Sequence, residues 1–93
     1  MVRQIVINYK PEKIILFGSA TNKSIKKPND IDLLIIKETK IPRLRRRADA
    51  LQKVSYNIPL DVIVLTPEEL KILKNKKSTF IEEILKKGTI LYG

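Results

Sequence analysis

Apolar runs alternate with polar, turn-rich segments along this chain, and the period of the pattern changes from place to place. Ile14-Ile15-Leu16-Phe17 is unbroken and apolar, which predicts a strand buried on both faces. Asp30 to Ile36 predicts a second strand, and Leu60 to Leu65 a third in which Leu60, Val62 and Val64 alternate with Asp61 and Ile63. Thr89 to Tyr92 predicts a short terminal strand. Helical spacing appears first at Val2, Ile5, Val6 and Tyr9. Ile5-Val6-Ile7 also has strand propensity, but Pro11 disfavours helical angles at Lys10, so a short helix that stops there fits better.

Lys37 to Ile41 reads as a loop, and Pro42 suits the first position of a helix. That helix carries an apolar stripe of Leu44, Ala48, Leu51 and Val54. Asn57-Ile58-Pro59 reads as a turn. Thr66-Pro67-Glu68-Glu69 is a helix start in which Thr66 caps and Glu69 completes a capping box. Leu70, Ile72 and Leu73 are expected to face the core. After a basic break at Lys74 to Lys77, Ser78 caps a last helix. Phe80, Ile81, Ile84 and Leu85 are expected inside, with Gly88 as the stop. The expected architecture is α/β (α+β): one domain over residues 1–93, with a small mixed sheet packed by helices.

Composition narrows the chemistry. The chain is 43% apolar and 31% charged, as suits a globular protein with one modest core. No apolar run reaches the length of a membrane span and the start lacks a signal-peptide pattern, so a cytoplasmic location is expected. Cysteine and histidine are both absent, which excludes disulfides, thiolate metal sites, Ser-His-Asp triads and imidazole acid–base catalysis. Carboxylates, lysines, arginines and hydroxyls remain. The net charge of +9 favours polyanionic partners: a nucleoside triphosphate, nucleic acid or an acidic protein surface. For most individual lysines, a solvated helix face is an equally good account.

Two short motifs then stand out. Gly18-Ser19 ends the first strand, and Asp30-Ile31-Asp32-Leu33 follows a spacer of ten residues. In a strand, Asp30 and Asp32 share one face while Ile31 and Leu33 share the other. Two carboxylates on one face repel unless a cation sits between them, and hard divalent ions such as Mg²⁺ take such oxygen ligands together with phosphates. A Gly-Ser turn offers backbone N–H groups to phosphate oxygens. Alone it would be an ordinary turn; joined to the aspartates it points to chemistry on a nucleoside triphosphate. Asp61 is a further isolated aspartate among apolar neighbours, either a strand-end carboxylate facing water or part of the same site. Arg43, Arg45, Arg46 and Arg47 form the most basic patch, suited to triphosphate, RNA or an acidic partner surface, or else a solvated helix face. It lacks the interleaved aromatics that stack bases, which lowers the RNA reading.

Gly-Ser, a spacer of about ten residues and Asp-Ile-Asp-Leu together resemble the signature of the DNA polymerase β-like nucleotidyltransferase superfamily. The context Pro11-Glu12-Lys13-Ile14-Ile15-Leu16-Phe17-Gly18-Ser19 looks like its minimal nucleotidyltransferase branch. The resemblance implies a polymerase β-like fold and a catalytic set of Asp30, Asp32 and Asp61, with Asp61 as the third carboxylate. It implies two Mg²⁺ ions on those aspartates, Gly18 and Ser19 on the nucleotide phosphates, and transfer of AMP from ATP. Minimal nucleotidyltransferases commonly pair with a helical HEPN toxin, some modifying a toxin tyrosine as its antitoxin. One departure stands: the segment that often reads Ala-Arg-Gly is Thr21-Asn22-Lys23 here. The alternatives are a non-catalytic module that binds nucleotide or neutralises a toxin by docking, and nucleotidyl transfer to RNA.

Overall fold

The computed structural model describes residues 2–18, 31–56 and 59–93. In chain order the described elements are α1 (Val2–Tyr9), β1 (Lys13–Phe17), β2 (Ile31–Ile36), α2 (Arg43–Leu51), β3 (Leu60–Leu65), α3 (Pro67–Asn75), α4 (Thr79–Lys87) and β4 (Thr89–Tyr92). The strands form one sheet in the order β3-β2-β1-β4. β1 runs antiparallel to both β2 and β4, while β2 and β3 are parallel. The sheet is therefore mixed, as the sequence predicts. Ser19, Asp30, the Thr21-Asn22-Lys23 segment and Asn57-Ile58 lie outside the described residues.

Each face of the sheet has its own core. Ile14, Leu33, Ile35, Leu60, Val62 and Val64 pack with Ile5 and Tyr9 of α1 and with Ala50 and Leu51 of α2. On the opposite face, Ile15, Leu34, Ile36 and Leu65 pack with Ile81 and Ile84 of α4, and Leu70 and Leu73 of α3 lie against them. Helices on both sides explain why β2 is apolar at successive positions rather than at alternate ones. Among the described residues, no helix is long and apolar enough to cross a membrane.

The helix ends follow local chemistry. α1 ends before Pro11, with Lys10 at φ 55° and its N–H bonded to the Val6 carbonyl. The Lys37 ammonium donates to the Tyr9 carbonyl at 2.5 Å, placing a cation at the negative end of that helix. The capping box is present at α3: Glu69 N–H donates to Thr66 Oγ1, and Thr66 N–H to Glu69 Oε1. Ser78 caps α4. Gly88 ends α4 with ordinary backbone angles; a Cβ there would run into the Ile84 carbonyl and the Ile15 side chain.

Several inward faces differ from the sequence pattern. Pro42 is the N-cap of α2 rather than its first residue. Leu44 is 98% exposed and Ala48 is exposed, while Arg46 is buried with Ala50 and Leu51. The rotation is set by what Arg46 finds inside. Its guanidinium donates to the Ile41 carbonyl at 2.7 Å, the Val64 carbonyl at 3.2 Å and Glu69 Oε1 at 2.5 Å. Arg47 donates to the Leu60 carbonyl at 2.8 Å. Both strand carbonyls point away from β2, because β2 takes the carbonyls of Pro59 and Leu65 and hence the odd-numbered positions between them. Ile72, Phe80 and Leu85 are also exposed rather than inward: Leu70 with Leu73, and Ile81 with Ile84, already fill the faces that meet the sheet.

The hydrogen bond from Arg46 is the main reason the Glu69 carboxyl titrates below its ordinary value; partial burial opposes it, and the Thr66 N–H and the charges of Arg46 and Arg43 reinforce it. A carboxyl lowered by folding adds stability that is full above its unfolded value and is lost as pH falls through the folded one. Glu69→Gln is therefore expected to be less stable than the parent at neutral pH, and the gap should close as pH drops below the normal glutamate range. Urea unfolding of both proteins at several pH values measures this; a pH-independent gap would contradict it.

Candidate active site

β1 ends, and β2 and β3 begin, at the same end of the sheet. In the ladder, Phe17 pairs with Asp32, and Asp32 pairs with Asp61. Cross-strand partners share a face, so Phe17, Asp32 and Asp61 all lie on the side covered by α3 and α4. The Cα atoms of the two aspartates are about 4.8 Å apart by the spacing of neighbouring strands. Asp32 is half-buried and Asp61 exposed.

Gly18 closes the group from the β1 side. Its φ is +75°, in the left-handed region that favours glycine. A Cβ there would collide with Asp32 Oδ2. Glycine thus lets the main chain approach the Asp32 carboxylate more closely than any side chain permits. Gly18→Ala is expected to lose about 1–3 kcal/mol of stability through the strained angle and to displace the Asp32 carboxylate. Denaturant unfolding checks the first effect, and loss of nucleotide turnover the second; an alanine variant with parental stability and activity would show that the contact is slack.

Of the residues singled out from the sequence, Gly18, Asp32 and Asp61 are brought together. Ser19 and Asp30 are outside the described residues. Among the described residues, no group of three carboxylates is assembled. The donors present, carboxylate oxygens without histidine or cysteine, fit a hard divalent cation such as Mg²⁺.

A family profile described as "Polymerase beta, Nucleotidyltransferase" matches residues 1–93. The chain belongs to this family. A search of curated proteins and of solved structures finds no match. The helices and mixed sheet of this nucleotidyltransferase are consistent with the polymerase β-like fold, and nucleotidyl transfer is the chemistry of its family.

The basic patch of this nucleotidyltransferase is largely structural. Arg46 is buried, Arg47 is bonded to the Leu60 carbonyl, and Arg43 lies 3.7 Å from Glu69. Arg45 of the four lacks such an internal bond among the described residues, and Arg43, Arg45 and Arg47 remain exposed. Sequence reasoning missed a feature beside the site. Phe17 and Phe80 meet edge to face, with centroids 5.8 Å apart, at the margin of Gly18. No local pattern could have found this contact, since it joins two residues far apart in the chain.

Proposed function

We propose that residues 1–93 act as one nucleotidyltransferase domain that moves a nucleoside monophosphate from a nucleoside triphosphate, ATP in the first instance, to an acceptor hydroxyl. The observation that carries this reading is the cross-strand pairing of Asp32 with Asp61 beside Gly18. Asp30, Asp32 and Asp61 would hold the divalent cations, two Mg²⁺ ions. Bound there, such ions neutralise triphosphate charge and make the acceptor hydroxyl more acidic. Gly18 and Ser19 hold the β- and γ-phosphates through main-chain N–H groups and the serine hydroxyl. The half-buried Asp32 fixes the reacting end of the triphosphate. The exposed Asp61 faces the side from which an acceptor arrives. The acceptor oxygen bonds to the α-phosphorus, the bond to the β-phosphate oxygen breaks, and pyrophosphate leaves. With no histidine in the chain, the acceptor proton passes to a neighbouring carboxylate such as Asp61 and from there to water.

The acceptor in this reading is a tyrosine hydroxyl of a helical HEPN-type toxin in the cytoplasm, with this chain as its antitoxin. The +9 charge supports an acidic partner surface. The test is label transfer from α-phosphate-labelled ATP, with Mg²⁺ and the candidate helical partner, using Asp32→Ala as control. Label on the partner that disappears in the variant is expected. No label from any of the four ribonucleotides, with tight partner binding, would leave a toxin-neutralising binding module instead.

A further inference from the structure

A pocket of about 290 Å³ opens directly beside the candidate site, between the end of β1 and α4. Phe17, Gly18, Phe80, Glu83, Lys87 and Gly88 contribute to its lining. Its size is close to the lower end of small-molecule clefts, about 300–1,000 Å³. Both phenylalanines of the chain are here. Phe80 is 53% exposed although it sits against Phe17, so its ring offers free surface to an incoming group. Phe17 is the ladder partner of Asp32, which puts the pocket one strand away from the carboxylates. Lys87 and Glu83, 3.8 Å apart on successive turns of α4, stand at its polar margin.

From this arrangement we infer that the pocket seats the nucleobase of the triphosphate, stacked on Phe80, while the phosphates lie at Gly18 and Asp32. The inference rests on the nucleotidyl-transfer reading above and adds where the base goes. A flat aromatic heterocycle matches a lining of two rings and aliphatic carbon. Its hydrogen-bonding edge meets an acceptor in Glu83 and donors in Lys87. A phosphate group fits the pocket less well than a base, because Glu83 offsets the charge of Lys87 and most of the lining is carbon. Ring stacking is tolerant of sequence because every base has a π-face, so Phe80 contributes affinity while Glu83 and Lys87 bias the choice of base.

The test compares each ribonucleoside triphosphate with inorganic tripolyphosphate, all with Mg²⁺, by calorimetric titration of the parent, Phe80→Ala and Phe80→Trp. The parent is expected to bind its preferred nucleotide more tightly than tripolyphosphate. Phe80→Ala should weaken the nucleotide on the order of 10-fold, as loss of one stacking platform does, and leave tripolyphosphate unchanged. Phe80→Trp should restore nucleotide affinity, with tryptophan fluorescence quenched by the nucleotide and not by tripolyphosphate. Equal nucleotide affinity in the parent and Phe80→Ala would overturn the base site and leave the triphosphate reading standing. Equal weakening of both ligands would also overturn it, because Phe80 would then act on the phosphates or the fold. If the parent binds neither kind of ligand, the nucleotidyl-transfer reading itself fails.

Discussion

Asp32→Asn is expected to lower nucleotidyl transfer on the order of 10²–10³-fold, the scale on which loss of one electrostatic group acts at a reacting centre. The substitution keeps the shape of the side chain and removes its charge. Asp32 and Asp61 share a face on neighbouring strands, so two negative charges sit close together before any cation arrives. Removing one relieves that repulsion. Mg²⁺ should raise the melting temperature of the parent more than that of the variant, because a ligand stabilises the state that binds it. Asp61→Asn should behave alike. Full transfer activity in both variants would remove the carboxylate pair from the mechanism.

Arg46→Ala is expected to lose about 3–5 kcal/mol of folding free energy, the cost of breaking a buried ion pair from one side. The side chain of Arg46 is 9% exposed and that of Glu69 is 28% exposed. Glu69 can regain some water when its partner goes, which favours the lower end of that range. The Ile41 and Val64 carbonyls lose a donor at the same time. Since small domains are stable by only about 5–15 kcal/mol, the variant should unfold in far less denaturant. Arg45→Ala, on the exposed side of the same helix, should change stability by less than about 0.5 kcal/mol. Urea midpoints of the two variants decide the matter. Similar midpoints would mean that Arg46 contributes no more than a surface arginine.

The parts of this protein legible in its sequence are those set by neighbours along the chain. Thr66 and Glu69 are three residues apart, so their reciprocal capping can be read from spacing alone, and the structure contains it. The same holds for the strands around Leu16, Leu34 and Val64, whose apolar runs leave no other place to go. Arg46 shows where such reading stops. Its side chain looks polar and outward, yet it is buried because three acceptors come from three separate stretches at Ile41, Val64 and Glu69. Leu44 is the mirror of this, apolar and almost fully exposed because the helix has turned to suit the arginine.

The candidate site divides in the same way. Period-two alternation fixes the face of each aspartate within its own strand. That Asp32 and Asp61 are direct partners is a matter of register between strands, which no local spacing encodes. The resemblance to the nucleotidyltransferases names Asp61 as the third carboxylate, but its register opposite Asp32 is read from the ladder alone. The meeting of Phe17 with Phe80 had no such guide, and the pattern of α4 suggested a core position for Phe80 instead.

The arginine bonds to β3 also protect the protein from itself. β3 is an outer strand, and its outward carbonyls belong to Leu60, Val62 and Val64. Arg47 and Arg46 occupy the first and the last of these. A strand from another molecule needs those acceptors to add to the sheet, and it would meet two positive charges on the way. The side chains that fasten α2 thereby obstruct strand addition along β3, whereas β4, exposed along its length, forms the other edge of the sheet.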